Sequence, residues 1–494
     1  MTSSADHTAA PVFVGGTLAS VVAVTERAAK GLPSILVNPG GPLGGYFAGI
    51  EAGGRLWDAG MVLYEFTSFR EPADEPDICS YDPMKRNDVG RFCATVRSYV
   101  ERRQPTRTVT TPELQLNGQW WPDFLLANRG DWLSKMPWAR CALAEVDAGL
   151  SRSSPWHPRT KQDWPDDGTD HAGQPLIYDE VSLANHGETV HRELVAPFLR
   201  KVMNGDASGL SALYHRMNWT PLYWPETLRA WLADHPVQLP DTAFSHPVGQ
   251  PVAALIRTLV KELKASPLVQ VFEDKLISME PTARGFNLLL QSQGELHAPD
   301  LIWAQSPAQG LQAAGLQAAG VDDRLPLMIG LLEVPASCVA HVGSVQHLLD
   351  PSIGVYRVTH SSACADETSD GFVALTVEAN PGWFDAVHGA CPSEDVTVRA
   401  IMTDLVRAGV LSSAAVPRFA KLIRLAGALP LPTPRAVRGF LADRAGLLSA
   451  CPGIRLIGPA AGPFANSMSD QIVQGLACAE LRASAQPAMQ QEYA

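Results

Sequence analysis

The chain has 494 residues, with 39 Lys and Arg against 51 Asp and Glu and a net charge of -12. Its 46% hydrophobic content is ample for sizeable cores and excludes global disorder. The acidic balance argues against a nucleic-acid binder, which needs a basic face. No apolar run is long enough to span a bilayer, and the polar start Met1–Ala10 lacks the features of a signal peptide, so a cytoplasmic location is expected. Cysteines 79, 93, 141, 338, 364, 391, 451 and 478 form no C-x-x-C pair. They read as reduced, buried or half-buried thiols rather than a zinc or redox motif.

In chain order, Pro11–Val37 reads as strand, glycine turn, helix and strand, a βαβ unit. Gly40–Gly54 and Glu71–Pro83 read as loops. From Pro112 to Leu232 helical pattern prevails, and nine of the twelve tryptophans lie there. Within it Ser151–Gly173 is a polar loop, while Asn185–Met203, Gly209–His215 and Glu226–Ala233 read as helices. An amphipathic helix follows at Pro251–Lys264. Short strands are expected at Val269–Phe272, Lys275–Met279, Phe286–Gln291 and Leu301–Ala304. Gln309–Gly320 carries a five-residue duplication that lengthens a helix or loop. Leu325–Val334, Val355–Thr359 and Phe372–Glu378 read as strands of a second sheet, and Val396–Ala408 as a helix. A last strand, Ile454–Ile457, precedes a terminal helix at Asp470–Ala483.

The βαβ unit is where chemistry is expected first. A dinucleotide turn uses three glycines, for the tight turn, for close approach of backbone to pyrophosphate, and for helix–strand packing. Gly15 stands at the first position, beside Gly16. Thr17 stands at the second, Ser20 at the third, and Asn38 where an acid would bind ribose hydroxyls. No G-x-S-x-G, H-E-x-x-H or P-loop pattern offers a different chemistry.

Asn38-Pro-Gly-Gly-Pro-Leu-Gly44-Gly45 and Trp57-Asp58-Ala59-Gly60-Met61 resemble segments of FAD enzymes of the amine oxidase group. That group includes protoporphyrinogen oxidases, carotenoid desaturases and, more distantly, UDP-galactopyranose mutases. Gly294–Ala304 and Ile457–Ala479 resemble later segments of the same group, so the likeness spans most of the chain. His191–Thr227 and Leu429–Pro432 are softer likenesses to its sugar-pathway members. The resemblance implies an α/β fold with a Rossmann-like, glutathione-reductase-like FAD-binding domain and an interleaved substrate domain made of a helical lobe and a mixed β-sheet. FAD segments are expected at 11–110, 236–310 and 436–485, the helical lobe at 111–235 and the sheet at 311–435, with flexible termini at 1–10 and 486–494. The cofactor positions carried over are Gly15, Gly16, Thr17, Ser20, Asn38, Gly44, Gly45, Gly60, Met61, Leu276, Gly458 and Gln471. Gly475 matches a glycine of the closing helix. Thr17, Asn38 and Pro459 depart from the group's Gly, acid and Asp.

In such enzymes the flavin takes a hydride and the protein orients a small-molecule substrate over the ring. Candidates for that task are Arg70, His215, Arg216, Tyr223, Trp224, Tyr356 and Arg357, with Tyr223, His215 and Arg357 foremost. An arginine could clamp a carboxylate or phosphate, and aromatic rings could form a wall. Against this, Trp219, Tyr223 and Trp224 equally suit a helical-lobe core, His215 suits the surface, and Asp58 suits a backbone cap. The expected function is a flavin-dependent oxidoreductase of a biosynthetic pathway. The alternatives are a related fold that has lost FAD and serves as a non-redox enzyme or biosynthetic partner, and a mutase-like flavin isomerase. Homo-oligomerisation stays open.

Overall fold

A computed structural model describes residues 10–66, 77–84, 88–127, 129–150, 176–203, 209–212, 220–237, 243–321, 323–367, 370–413, 415–462 and 467–480. The expected termini, apart from Ala10, and the loop read at 151–173 lie outside these residues.

β1 (Val12–Val14), α1 (Leu18–Ala29) and β2 (Ser34–Val37) form the anticipated βαβ unit. β1 is central in a five-stranded parallel sheet. β2 and Val269–Phe272 lie on one side of it, Leu301–Trp303 and Arg455–Leu456 on the other. Segments far apart in sequence therefore supply neighbouring strands. Side chains alternate with the period of two that strands impose. Phe13, Leu36 and Ile302 join a core with Val21, Val22, Ile256 and Ile472. Val12, Val14, Ile35, Val37 and Trp303 join a second core with Leu288, Leu311 and Leu447. Burial on both faces explains why β1, β2 and Leu301–Trp303 are almost wholly apolar in sequence. The second face is covered partly by an antiparallel meander, Leu276–Thr282, Gly285–Leu290 and Gly294–Ala298.

A mixed seven-stranded sheet runs in the order Phe419–Pro430, Arg324–Pro335, Phe372–Ala379, Val355–His360, Val345–Leu348, Glu113–Leu116 and Gln119–Pro122. Along Arg324–Pro335 the odd positions Leu325, Leu327, Ile329 and Leu331 pack toward helical-lobe residues such as Leu194, Phe198 and Trp231. The even positions Met328, Leu332 and Val334 pack toward Phe384, Ile401 and Leu405 on two further helices. Two of this sheet's strands fall where helical structure was expected. Glu113–Leu116 and Gln119–Pro122 are a hairpin whose two turn residues, Asn117 and Gly118, take φ of 53° and 75°. Asn-Gly is the sequence preference of that turn, because both positions need positive φ. Among the described residues no helix is long and apolar enough to cross a membrane.

The closing helix, Met468–Ala479, packs directly on α1. A Cβ on Gly475 would lie 2.6 Å from Val22 Cβ and 2.7 Å from the Ala19 carbonyl oxygen. Both contacts are rigid, so Gly475 sets the separation of the two helices. Gly475→Val is expected to destabilise the chain by about 1–3 kcal/mol through overpacking, measured as a lower midpoint of denaturant unfolding. An unchanged midpoint would mean that the helices can part freely there.

Candidate functional site

The turn after β1 is built by steric exclusion. Gly15 has φ 109°, and its N–H donates to the Val37 carbonyl at 2.8 Å. A Cβ there would meet Gln305 Cγ at 2.9 Å. On Gly16 it would meet Asn38 Oδ1 at 2.6 Å and Leu43 Cδ2 at 2.8 Å. The Gly-rich loop comes back to this turn, where the Gly44 N–H donates to the Gly16 carbonyl at 2.7 Å. At Gly44 a Cβ would lie 2.2 Å from Ile256 Cγ2, so the chain passes too close to the helix behind it for any side chain.

Thr17 is the N-cap of α1. Its Oγ1 accepts from the Ser20 N–H at 3.4 Å and lies 3.3 Å from Ser20 Oγ. The bulk that departs from the glycine pattern is thus folded back onto the helix it caps. Gly458 faces Thr17 from the other side, with φ 57°, and its N–H donates to Gln474 Oε1 at 2.5 Å. Gln471 Oε1 accepts from the Ala19 N–H at 3.4 Å. Pro459 follows Gly458 in a short 3-10 turn, where a missing N–H costs no helical hydrogen bond. Asn38 is buried. Its Nδ2 donates to the Gly41 carbonyl at 2.9 Å and to Glu273 Oε2 at 2.6 Å, while its Oδ1 has no partner among the described residues.

Beyond Gly44 a 3-10 turn, Gly45–Ala48, carries Tyr46 toward the seven-stranded sheet. Tyr46 as a residue is 46% exposed, yet its hydroxyl would sit 3.1 Å from a Cβ on the buried Gly60. The hydroxyl end of Tyr46 therefore closes on Gly60, at the point where Glu378 of the seven-stranded sheet also arrives. Glu378 closes on the same point, with Oε1 2.9 Å from that position, and its Oε2 accepts the Met61 N–H at 3.1 Å. Arg357 Nε and Nη2 donate to Glu378 at 2.5 and 2.6 Å, a bidentate pair buried on neighbouring strands. Burial opposes the charge on Arg357, but the carboxylate outweighs it and holds the guanidinium firmly protonated. Burial, reinforced by Glu378, pushes the Tyr46 and Tyr356 hydroxyls well above the ordinary phenol range, so both stay protonated hydrogen-bond donors.

Asp58 Oδ2 and Oδ1 accept the Val252 and Ala253 N–H groups at 3.0 and 2.8 Å, capping the helix Ala253–Ala265. Leu276 opens the meander opposite Leu290. Tyr223 packs its ring on Trp231 and Phe124, with centroids 4.9 and 5.9 Å away, inside the helical lobe. Its N–H donates to His186 Nε2 at 2.8 Å. Trp224 precedes the helix Pro225–Leu232 and packs against the neighbouring lobe core. Arg70, His215 and Arg216 lie outside the described residues. Of the eight thiols Cys364, Cys451 and Cys478 are buried and Cys79, Cys141 and Cys391 exposed, so burial is less uniform than expected.

Sequence reasoning passed over Tyr46, Glu273 and Glu378. Glu378 did leave a signal, as an acid inside an otherwise apolar strand (Phe372–Ala379), which needs a buried partner. Tyr46 and Glu273 left none, since their neighbours come from distant segments.

Two measurements probe this arrangement. Glu378→Gln strands a buried guanidinium and is expected to cost about 3–5 kcal/mol of unfolding free energy, with Arg357→Met/Glu378→Leu recovering most of it. Equal losses in both variants would contradict the pairing argument. Burial, then His191, pushes His186 down from 6.5 to about 3. The fold therefore favours neutral His186. That stability is complete above pH about 6.5 and is lost as pH falls toward about 3, because the unfolded chain takes the proton first. His186→Gln keeps an acceptor for the Tyr223 N–H, and its unfolding midpoint should fall less steeply than the wild type's over this window.

No protein-family model and no curated protein sequence matches the chain. Solved structures do. A reduced UDP-galactopyranose mutase matches with TM-score 0.68 at 14% identity, over 95% of this chain and 94% of that one. A proposed protoporphyrinogen oxidase from Exiguobacterium sp. 255-15 matches with TM-score 0.64 at 15% identity, over 95% and 97%. Putrescine oxidase bound to putrescine matches with TM-score 0.55 at 12% identity, over 95% and 96%. The chain therefore has the mixed α/β fold common to UDP-galactopyranose mutase and the amine-oxidising flavoprotein structures.

Proposed function

We propose that the protein is an FAD-dependent oxidoreductase of the amine oxidase group, acting on a small molecule held beside Tyr46. One observation carries this reading. The glycine turn at Gly15–Gly16, the start of α1 and the returning loop at Gly44–Gly45 lead without a break to Tyr46, Gly60 and Met61. There the second sheet presents Tyr356, Arg357 and Glu378. A nucleotide end at the parallel sheet and a reactive ring at the sheet interface suit that path, and ligands of open α/β sheets bind at the carboxyl ends of such strands.

The residues fit the cofactor. Gly15 and Gly44 leave no room for a side chain, Thr17 is folded onto Ser20, and the buried Asn38 Oδ1 lacks a partner. The start of α1, with Gly15, Gly16 and Thr17, would hold the pyrophosphate. Gly60 and Met61 would lie along the ring, with Gly458 and Gln471 buttressing α1. FAD bound here supplies a hydride acceptor. The chain's own part is to donate hydrogen bonds from Tyr46 and Tyr356 and to keep a neutralised, rigid polar floor under the substrate. We read segments 11–110, 236–310 and 436–485 as the cofactor domain and 111–235 with 311–435 as the substrate domain. A mutase-like isomerisation needs arginines for a diphosphate, and Arg357 is already engaged by Glu378. The oxidoreductase reading rests on that engagement of Arg357, since the fold is shared with the mutase and the oxidases alike.

The purified full-length protein is expected to show visible flavin absorption, as isolated or after incubation with FAD and dialysis. It should also consume oxygen or reduce a dye when given its substrate. A protein that stays colourless would overturn the cofactor reading. A flavin that turns over substrate with no electron acceptor would favour the isomerase.

A further inference from the structure

We infer that Glu273 supplies the carboxylate that grips the adenosine ribose, in place of an acid at position 38. The inference rests on the FAD reading above. Glu273 directly follows the strand Val269–Phe272, which pairs in parallel with β2 so that Phe272 lies opposite Val37. Glu273 and Asn38 are therefore the first residues past the ends of two adjacent strands. The backbone locks them in step: the Asn38 N–H donates to the Phe272 carbonyl at 2.8 Å, and the Asp274 N–H donates to the Asn38 carbonyl at 3.2 Å.

The side chains complete the arrangement. Asn38 Nδ2 donates to Glu273 Oε2 at 2.6 Å and to the Gly41 carbonyl at 2.9 Å. The amide thus draws a carboxylate from the edge strand back over the end of β2. Its own Oδ1 stays buried and unpartnered beside Gly16. Asp274, the other acid nearby, is not available. Its two oxygens accept the Lys275, Ser292 and Gln293 N–H groups at 2.8, 2.9 and 3.0 Å. Glu273 keeps acceptor sites open: among the described residues Oε1 has only Lys264 Nζ at 3.7 Å, and the side chain is 53% exposed. A half-exposed carboxylate oriented by a buried amide is the acceptor that a vicinal diol requires, because each hydroxyl donates to one charged oxygen. Position 38 has become the positioning residue and Glu273 the ligand.

The experiment titrates the full-length chain with FAD, ADP and 2′-deoxy-ADP. Glu273→Gln is expected to weaken FAD and ADP about ten- to a hundredfold, the size of lost charge-assisted hydrogen bonds. It should also abolish the wild type's preference for ADP over the deoxy analogue. Asn38→Asp alone brings two carboxylates together and should weaken binding. Combined with Glu273→Gln it restores an amide–carboxylate pair, and binding should recover. Unchanged melting temperatures would exclude a folding defect. A wild type that binds neither FAD nor ADP overturns the cofactor reading and this inference with it. A wild type that binds FAD while Glu273→Gln binds it equally, or Asn38→Asp binding more tightly, overturns the inference alone.

Discussion

The site depends on how closely four stretches of backbone crowd the start of α1. Gly15 is hemmed in by Gln305 and Ala304, Gly16 by Asn38 and Leu43, Gly44 by Ile256, and Gly458 by Thr17. These contacts bring segments from both ends and the middle of the chain to one helix terminus. A side chain at Gly15 or Gly44 would push a strand or loop off it, at a position whose φ already disfavours one. The helix terminus gains from this. Its partial positive charge is met in part by Gln471 Oε1 on the Ala19 N–H and by Thr17 Oγ1 on the Ser20 N–H.

A second constraint is electrostatic and belongs to the other sheet. Arg357 and Glu378 lie on neighbouring strands and neutralise each other in a bidentate pair. Two charges removed from water cost several kcal/mol each, and the pair recovers that only with full hydrogen bonding. The Met61 N–H contributes one of those bonds, so the pair also ties the second sheet to the Gly60–Met61 step. Tyr46 and Tyr356 stand beside a floor that is polar, rigid and nearly neutral.

Much of the first sheet could be read from residue order alone, because its three central strands are buried on both faces. Val12–Val14, Ser34–Val37 and Leu301–Trp303 announce themselves in that way, whereas the edge strand Val269–Phe272 is only partly buried and carries Gln270. The second sheet was only half legible. Phe419–Pro430 is half-exposed along most of its length, so its alternation is blurred by Lys421, Arg424 and Gly427. The hairpin at Glu113–Pro122 was hidden by tryptophans that suggested a helical lobe, although Asn117-Gly118 marked its turn. Trp121 stacks on Trp132 with centroids 5.2 Å apart, so strand and lobe share one aromatic core, and composition could not divide them.

The cofactor motif shows why substitution by position misleads. Taken along the sequence, Thr17, Asn38 and Pro459 each remove something a nucleotide needs. Taken in space, each has a local answer. Thr17 caps α1 with the hydroxyl that replaces the missing glycine's openness. Pro459 occupies a turn position that has no use for its N–H. Asn38 gives up a charge but gains a donor, and that donor holds the carboxylate of Glu273. A motif records which residue stands at a strand end, whereas a ligand meets whichever atoms the sheet brings there. In a parallel sheet the next strand is only about 4.8 Å away, well within a glutamate's reach. An acid can therefore move 235 positions along the chain, the separation of Asn38 from Glu273, and scarcely move in space.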